Sequence, residues 1–223
     1  IMTTTTGGAA NVLGKLEDYL QTEWPELDVY LTSVTDHYAT ASLCGPNSKK
    51  ILKKIIPDLD LSDENFPHMS FKESKIGNVQ CRIMRISFTG EHSYEINVQA
   101  SYGKDLWEKC IEAGKEFNIT PYGTETMHLL RAEKGFIIVG QDTDGTMTPI
   151  DLQMDWIVSK KKYDFIGKRS LYRSDTMRED RKQLVGLLTD DPNIVLEEGA
   201  QIVSELNQSP VEMLGHVTSS YFS

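Results

Sequence analysis

Cysteine is scarce in this sequence. Only Cys44, Cys81 and Cys110 occur, odd in number, far apart and without a CxxC pair. That argues against a disulfide framework or a zinc site and fits a reducing compartment, expected to be the cytoplasm. Cys81 lies in an apolar strand pattern and reads as a small buried hydrophobe rather than a nucleophile. Long apolar runs are missing too: none approaches the roughly 20 residues that span a bilayer, and no signal peptide is visible, so no membrane partner is expected. Positive charge is short. The 23 Lys and Arg against 33 Asp and Glu leave a net charge of −10, which argues against a nucleic-acid footprint. GxGxxG, P-loop, HExxH and GxSxG motifs are absent. His37, His68, His92, His128 and His216 are scattered without metal-ligand spacing. Neither a metal nor a catalytic histidine is expected.

What remains is an ordinary globular composition, 39% hydrophobic and 25% charged, long enough for a buried core. Four threonines at residues 3–6 are β-branched and suit a strand. Val12, Leu13, Leu16, Tyr19 and Leu20 recur at helical spacing up to Trp24-Pro25. Residues 29–33 and 38–44 read as strands, and Ile51, Leu52, Ile55 and Ile56 mark a second helix closed by Pro57. Residues 70–76 and 79–88 form an expected hairpin around Gly77-Asn78, followed by a strand at 93–98. Helices follow around Leu106 to Ile111 and over 124–133, with Gly135 placed to end the latter. Beyond Asp155 a lysine-rich connector leads to short strands at 182–188, 201–203 and 213–218, which suggest part of a β-barrel. The boundary is expected near residues 158–167, giving regions 1–160 and 161–223. The chain opens at Ile1 and closes at Ser223 beside strand-like segments; both ends read as those of a piece of a longer protein.

Two segments carry candidate chemistry. In Phe88-Thr89-Gly90-Glu91-His92-Ser93-Tyr94-Glu95-Ile96 a strand enters a glycine turn and returns. Side-chain alternation puts Tyr94 and Glu95 on opposite faces. A hairpin with an exposed glutamate is the bland reading. The functional one is a carboxylate beside an aromatic, suited to a flat heterocycle with adjacent N–H donors. The second segment runs Leu130-Arg131-Ala132-Glu133-Lys134-Gly135, then Gly140-Gln141-Asp142-Thr143-Asp144-Gly145. Arg131 and Glu133 point in different directions on a helix and are no mutual pair. Asp142 and Asp144 fit a turn capped by acidic side chains better than a calcium loop. The run Lys160-Lys161-Lys162, with Lys168 and Arg169, reads as a solvated loop, or as a patch for an anionic tail or a partner subunit.

Taken in order with Thr148-Pro149 and Gly215-His216-Val217-Thr218-Ser219, these segments resemble the glycine-cleavage T-protein family of folate-dependent aminomethyltransferases. Thr120-Pro121-Tyr122-Gly123-Thr124-Glu125 and Met154-Asp155-Trp156-Ile157-Val158-Ser159 resemble its branch in the alpha subunits of heterotetrameric sarcosine oxidases. The resemblance implies an α+β, three-lobed cloverleaf around a central tetrahydrofolate, with a C-terminal, incomplete β-barrel. It implies a folate site of Phe88, Tyr94, Glu95 and Arg131: Glu95 on the pterin edge, Phe88 against the ring where most relatives carry tyrosine, and Arg131 near the cofactor. A family tyrosine is replaced at Ile138 or Val139. The family's catalytic aspartate is expected upstream, so no catalytic residue is assigned and the chain by itself is expected to be inactive. The implied function is capture of the one-carbon unit of oxidised sarcosine as 5,10-methylenetetrahydrofolate, with flavin and NAD held elsewhere in the assembly and its other subunits as partners. A free-standing aminomethyltransferase, a dimethylglycine-oxidising relative, or a folate-binding module without transferase activity are the alternatives.

Overall fold

The computed structural model describes residues 1–207 and 209–223, and they form two compact units. The first comprises Ile1–Ser87 with Glu91–Pro121, the second Phe88–Gly90 with Tyr122–Ser223. The change of character near residues 158–167 falls inside the second.

In the first unit, helix α1 (Ala9–Thr22) precedes strand β1 (Tyr38–Cys44), helix α2 (Ser48–Ile55), strands β2 (Ser70–Ile76), β3 (Val79–Arg85) and β4 (Ser93–Gln99), and helix α3 (Gly103–Gly114). The strands make one antiparallel sheet in the order β1-β4-β3-β2. Strand alternation decides its faces. Leu43, Cys81, Ile83, Tyr94, Ile96 and Val98 share one face and pack with Ile51 and Leu52 of α2 and Leu106 and Cys110 of α3. Ser42, Arg82, Met84, Glu95 and Asn97 take the other face, register by register. Cys81 is the buried residue the pattern implies, and burial pushes its thiol up to about 11.

The second unit holds helix α4 (Thr124–Lys134) and an antiparallel pair, β5 (Gln201–Val203) with β6 (Met213–His216). Gly135 ends α4 as expected, at φ 79°. Its N–H donates to Ala132 O, and the Phe136 N–H reaches back to Arg131 O at 2.8 Å, the double closure that a left-handed residue allows.

Three expected strands are absent. At residues 3–6 the Thr4 hydroxyl bonds the Thr5 carbonyl, and Thr6–Gly8 turns into a short 3-10 helix. Such local bonds compete with a ladder. Residues 29–33 have no partner strand. In residues 182–188 the Leu184 N–H donates to Asp151 O and the Leu184 carbonyl accepts from Gln153, so this stretch pairs with a loop. Among the described residues the C-terminal part forms one two-stranded pair. No helix among them is long and apolar enough to cross a membrane.

Candidate functional site

Glu95 sits in the middle of β4, where the cross-strand register sets it between Ser42 and Met84 on the face away from the hydrophobic core. It is half-buried, and burial raises its carboxyl above the ordinary glutamate range. Among the described residues its carboxylate takes part in no hydrogen bond or ion pair. A partly desolvated acceptor without a donor is unfavourable by itself. A ligand with two adjacent N–H groups would satisfy it.

The same face carries a shallow cavity of about 260 Å³ lined by Phe71, Glu73, Arg82 and Met84, among others. Arg82 is fixed there by Glu73 at 2.7 Å, and its guanidinium lies 5.9 Å from the Tyr38 ring and 6.0 Å from that of Phe71. The cavity is below the roughly 300–1,000 Å³ of an enclosed ligand pocket. The sheet by itself therefore offers an edge to read rather than a closed chamber.

Tyr94 points the other way, as alternation requires. It is fully buried, tilted against Phe66 with ring centroids 5.7 Å apart, and its hydroxyl lies 2.9 Å from His92 Nε2. The His92 carbonyl accepts from the Ser48 hydroxyl and the Gly45 N–H. Burial first, then the Arg85 and Lys49 charges, lower the His92 pKa. Tyr94 thus anchors from behind the strand that presents Glu95.

Phe88 and Arg131 belong to the second unit. Phe88 is partly exposed on the turn tip, beside Gly90 at φ 82°. A Cβ on Gly90 would lie 2.5 Å from the Lys134 side chain, so the tip rests directly on the end of α4. Arg131 is 2% exposed and its charge is taken up by the fold. Nη1 donates to Asp142 Oδ2 at 2.5 Å and to the Phe136 carbonyl, while Nη2 donates to Ser219 and Tyr221. Asp142 also accepts from the Ile138 N–H and from the Thr218 and Ser219 hydroxyls. Burial opposes the Asp142 charge, but these donors outweigh it and its pKa falls below the usual range. Only Arg131 Nε is buried without a partner in this cluster.

Asp142 closes its turn through the Ile138 N–H, as its spacing suggested, and is also half of a buried ion pair. Asp144 caps its own turn, accepting from the Thr146 N–H and hydroxyl. Sequence reasoning missed a second hub. Asp151 takes a two-pronged bond from Arg181, at 2.8 and 2.6 Å, and the Thr148 N–H. Arg181 above all holds the Asp151 carboxyl down at about 2. The Thr148-Pro149 motif was its one sequence signal; nothing local announced Arg181. No group of acidic, histidine and cysteine side chains among the described residues could hold a metal.

A match to the GCVT N-terminal domain family covers residues 1–162. The chain is 55% identical over its whole length to a sarcosine oxidase subunit alpha of Corynebacterium sp. (strain P-1), and 42% identical to that of Rhizobium meliloti (strain 1021). It spans 23% of the length of each. An aminomethyltransferase of Thermoanaerobacter sp. (strain X514) is 32% identical over 88% of the chain and 51% of its own length.

Proposed function

The chain belongs to the GCVT N-terminal domain family, and from that premise we propose that it is the tetrahydrofolate-binding part of a sarcosine-oxidising enzyme of several subunits. One observation carries the reading: Glu95, half-buried on the outer face of the sheet, with a carboxylate that no donor among the described residues engages. The adjacent N–H groups of a reduced pterin supply the donors that this carboxylate lacks. Tetrahydrofolate, when bound, supplies the nucleophilic nitrogens that take up the one-carbon unit as 5,10-methylenetetrahydrofolate. The chain's residues bind and orient. Glu95 reads the pterin edge, and Phe88 offers a ring face without the hydroxyl of a tyrosine. Tyr94 and Arg131 act as positioning residues, Tyr94 from the core and Arg131 through the hub that ties α4 to the chain's end. Exclusion of water matters as well, because an imine left in water hydrolyses. In this proposal the catalytic acid, flavin and NAD belong to other parts of the enzyme, and the cloverleaf and barrel are completed outside the 223 residues. A division at residues 160–161 is supported by the end of the family match at residue 162.

The test is Glu95→Gln in the assembled enzyme. Tetrahydrofolate affinity should fall about tenfold or more, since a charge-assisted bond contributes ~1.5–3 kcal/mol, while flavin reduction by sarcosine continues. Unchanged folate affinity would sink the assignment. The 32% identity to an aminomethyltransferase favours a second reading, transfer from a carrier-bound aminomethyl group, which a carrier-protein docking assay separates from the first.

A further inference from the structure

We propose that residues 156–173 are a docking surface for an acidic protein subunit. The segment carries Lys160, Lys161, Lys162, Lys168, Arg169 and Arg173 against the single carboxylate of Asp164, a net +5 in a chain of −10. A solvated loop would account for the charge alone. It does not account for the rings. Trp156, Tyr163 and Tyr172 are 74%, 96% and 68% exposed, and Ile166 is 63% exposed. Large exposed apolar side chains together with unpaired cations, here Lys161, Lys162 and Arg169, are the composition of a protein interface core and its rim.

Three of the six cations are available, Arg173 being paired with Asp175 at 3.5 Å and Lys168 bonded to Tyr163. Lys161, Lys162 and Arg169 make no side-chain hydrogen bond or ion pair among the described residues, and Lys160 reaches only Asp155, at 3.9 Å. The aromatic anchor is preorganised. Lys168 donates to the Tyr163 carbonyl and stands 5.8 Å above its ring, and the Ser159 hydroxyl accepts the Lys161 and Lys162 N–H groups. Ordering that precedes binding lowers its entropic cost. Charge complementarity selects the occupant: a surface with carboxylates around apolar sockets. A folate's anionic tail would use the lysines but leave three rings and an isoleucine uncovered. Nucleic acid is disfavoured by the chain's overall charge.

This inference rests on the reading of the chain as part of a multi-subunit oxidase, and the probe is that enzyme's other subunits. The alpha subunit would carry K160E/K161E/K162E in one variant and W156S/Y163S in another, with binding measured at low and high salt. The charge variant should weaken assembly at least tenfold and lose its salt dependence. The ring variant should weaken it at both salt levels. Melting temperature and folate affinity should stay at wild-type values in both. Assembly unchanged in both variants overturns the proposal, as does a lowered melting temperature of the alpha subunit alone in the ring variant, which assigns the patch to the rest of that subunit's own chain. So does a loss confined to polyglutamyl-folate affinity, which assigns the lysines to a tail, or a loss confined to self-association, which assigns the patch to a second copy. A wild-type alpha subunit that binds no other subunit overturns the multi-subunit reading as well. The Glu95 variant is scored on folate and is independent of these outcomes.

Discussion

Arg131 and Asp142 show how a residue can resemble a cofactor ligand and still belong to the fold. A buried charge is tolerable only when paired and hydrogen-bonded. Here the partners come from far along the chain: Arg131 binds Ser219 and Tyr221, and Asp142 binds Thr218 and Ser219. Arg131→Met would strand the Asp142 carboxylate and should cost about 3–5 kcal/mol in urea unfolding. A loss below ~1 kcal/mol would mean that the hydroxyls and the Ile138 N–H suffice without it. Glu95 has the opposite character. Its carboxyl is raised by burial and no group among the described residues repays the desolvation. If Glu95 binds folate as proposed, it works against the fold until the ligand arrives, a trade of stability for function.

At the level of elements, the turn between β3 and β4 carries Phe88, one of the proposed folate contacts. Gly90 combines a left-handed φ with direct contact on Lys134. Gly90→Ala meets both constraints and should destabilise by about 1–2 kcal/mol, read from the shift in denaturation midpoint. It should also loosen the Phe88 tip and weaken folate binding, with Gly77→Ala, at φ 61° in an open turn, as the control that strains only the backbone. The alternation Tyr94-in, Glu95-out was legible from the sequence because a strand's period of two is local. So were the four α-helices and the αL stop at Gly135. Residues 182–188 had the pattern of a strand and lacked a partner to pair with, which no local pattern encodes.

Across the whole molecule, the perturbed groups set the response to acid. His92 has a lowered pKa; its contribution is present above the unfolded histidine value near 6.5 and is lost as pH falls below it. Asp142 and Asp151 are lowered as well, Asp151 to about 2. Their stabilisation is complete above the unfolded value near 3.9 and is lost as pH falls through their lowered folded values, about 2 for Asp151. Glu95 is raised and has the reverse sign: protonation through its elevated pKa relieves a penalty. Thermal stability should therefore fall first below about pH 6.5 and again, more steeply, below about pH 4. His92→Gln should flatten the upper limb, and Glu95→Gln should raise the melting temperature at pH 7 by about 2 °C. An upper limb unchanged in the His92 variant would remove that histidine from the account.

The sequence by itself determined helices α1 to α3 and strands β1 to β4 of the first unit, though not that residues 3–6 and 29–33 stay out of the sheet, together with the facing of Glu95, the buried state of Cys81 and the family to which the chain belongs. Each depends on periodicity, turn chemistry or motif order within a short window. Only the tertiary structure decided that Arg131 and Asp142 neutralise each other, that Arg181 locks Asp151, that the C-terminal part forms a single strand pair, and that Trp156 and Tyr163 stand in water. These are outcomes of which distant groups meet, through bonds that span up to 90 residues of chain, and burial of a charge is settled by its partners rather than by its neighbours in sequence.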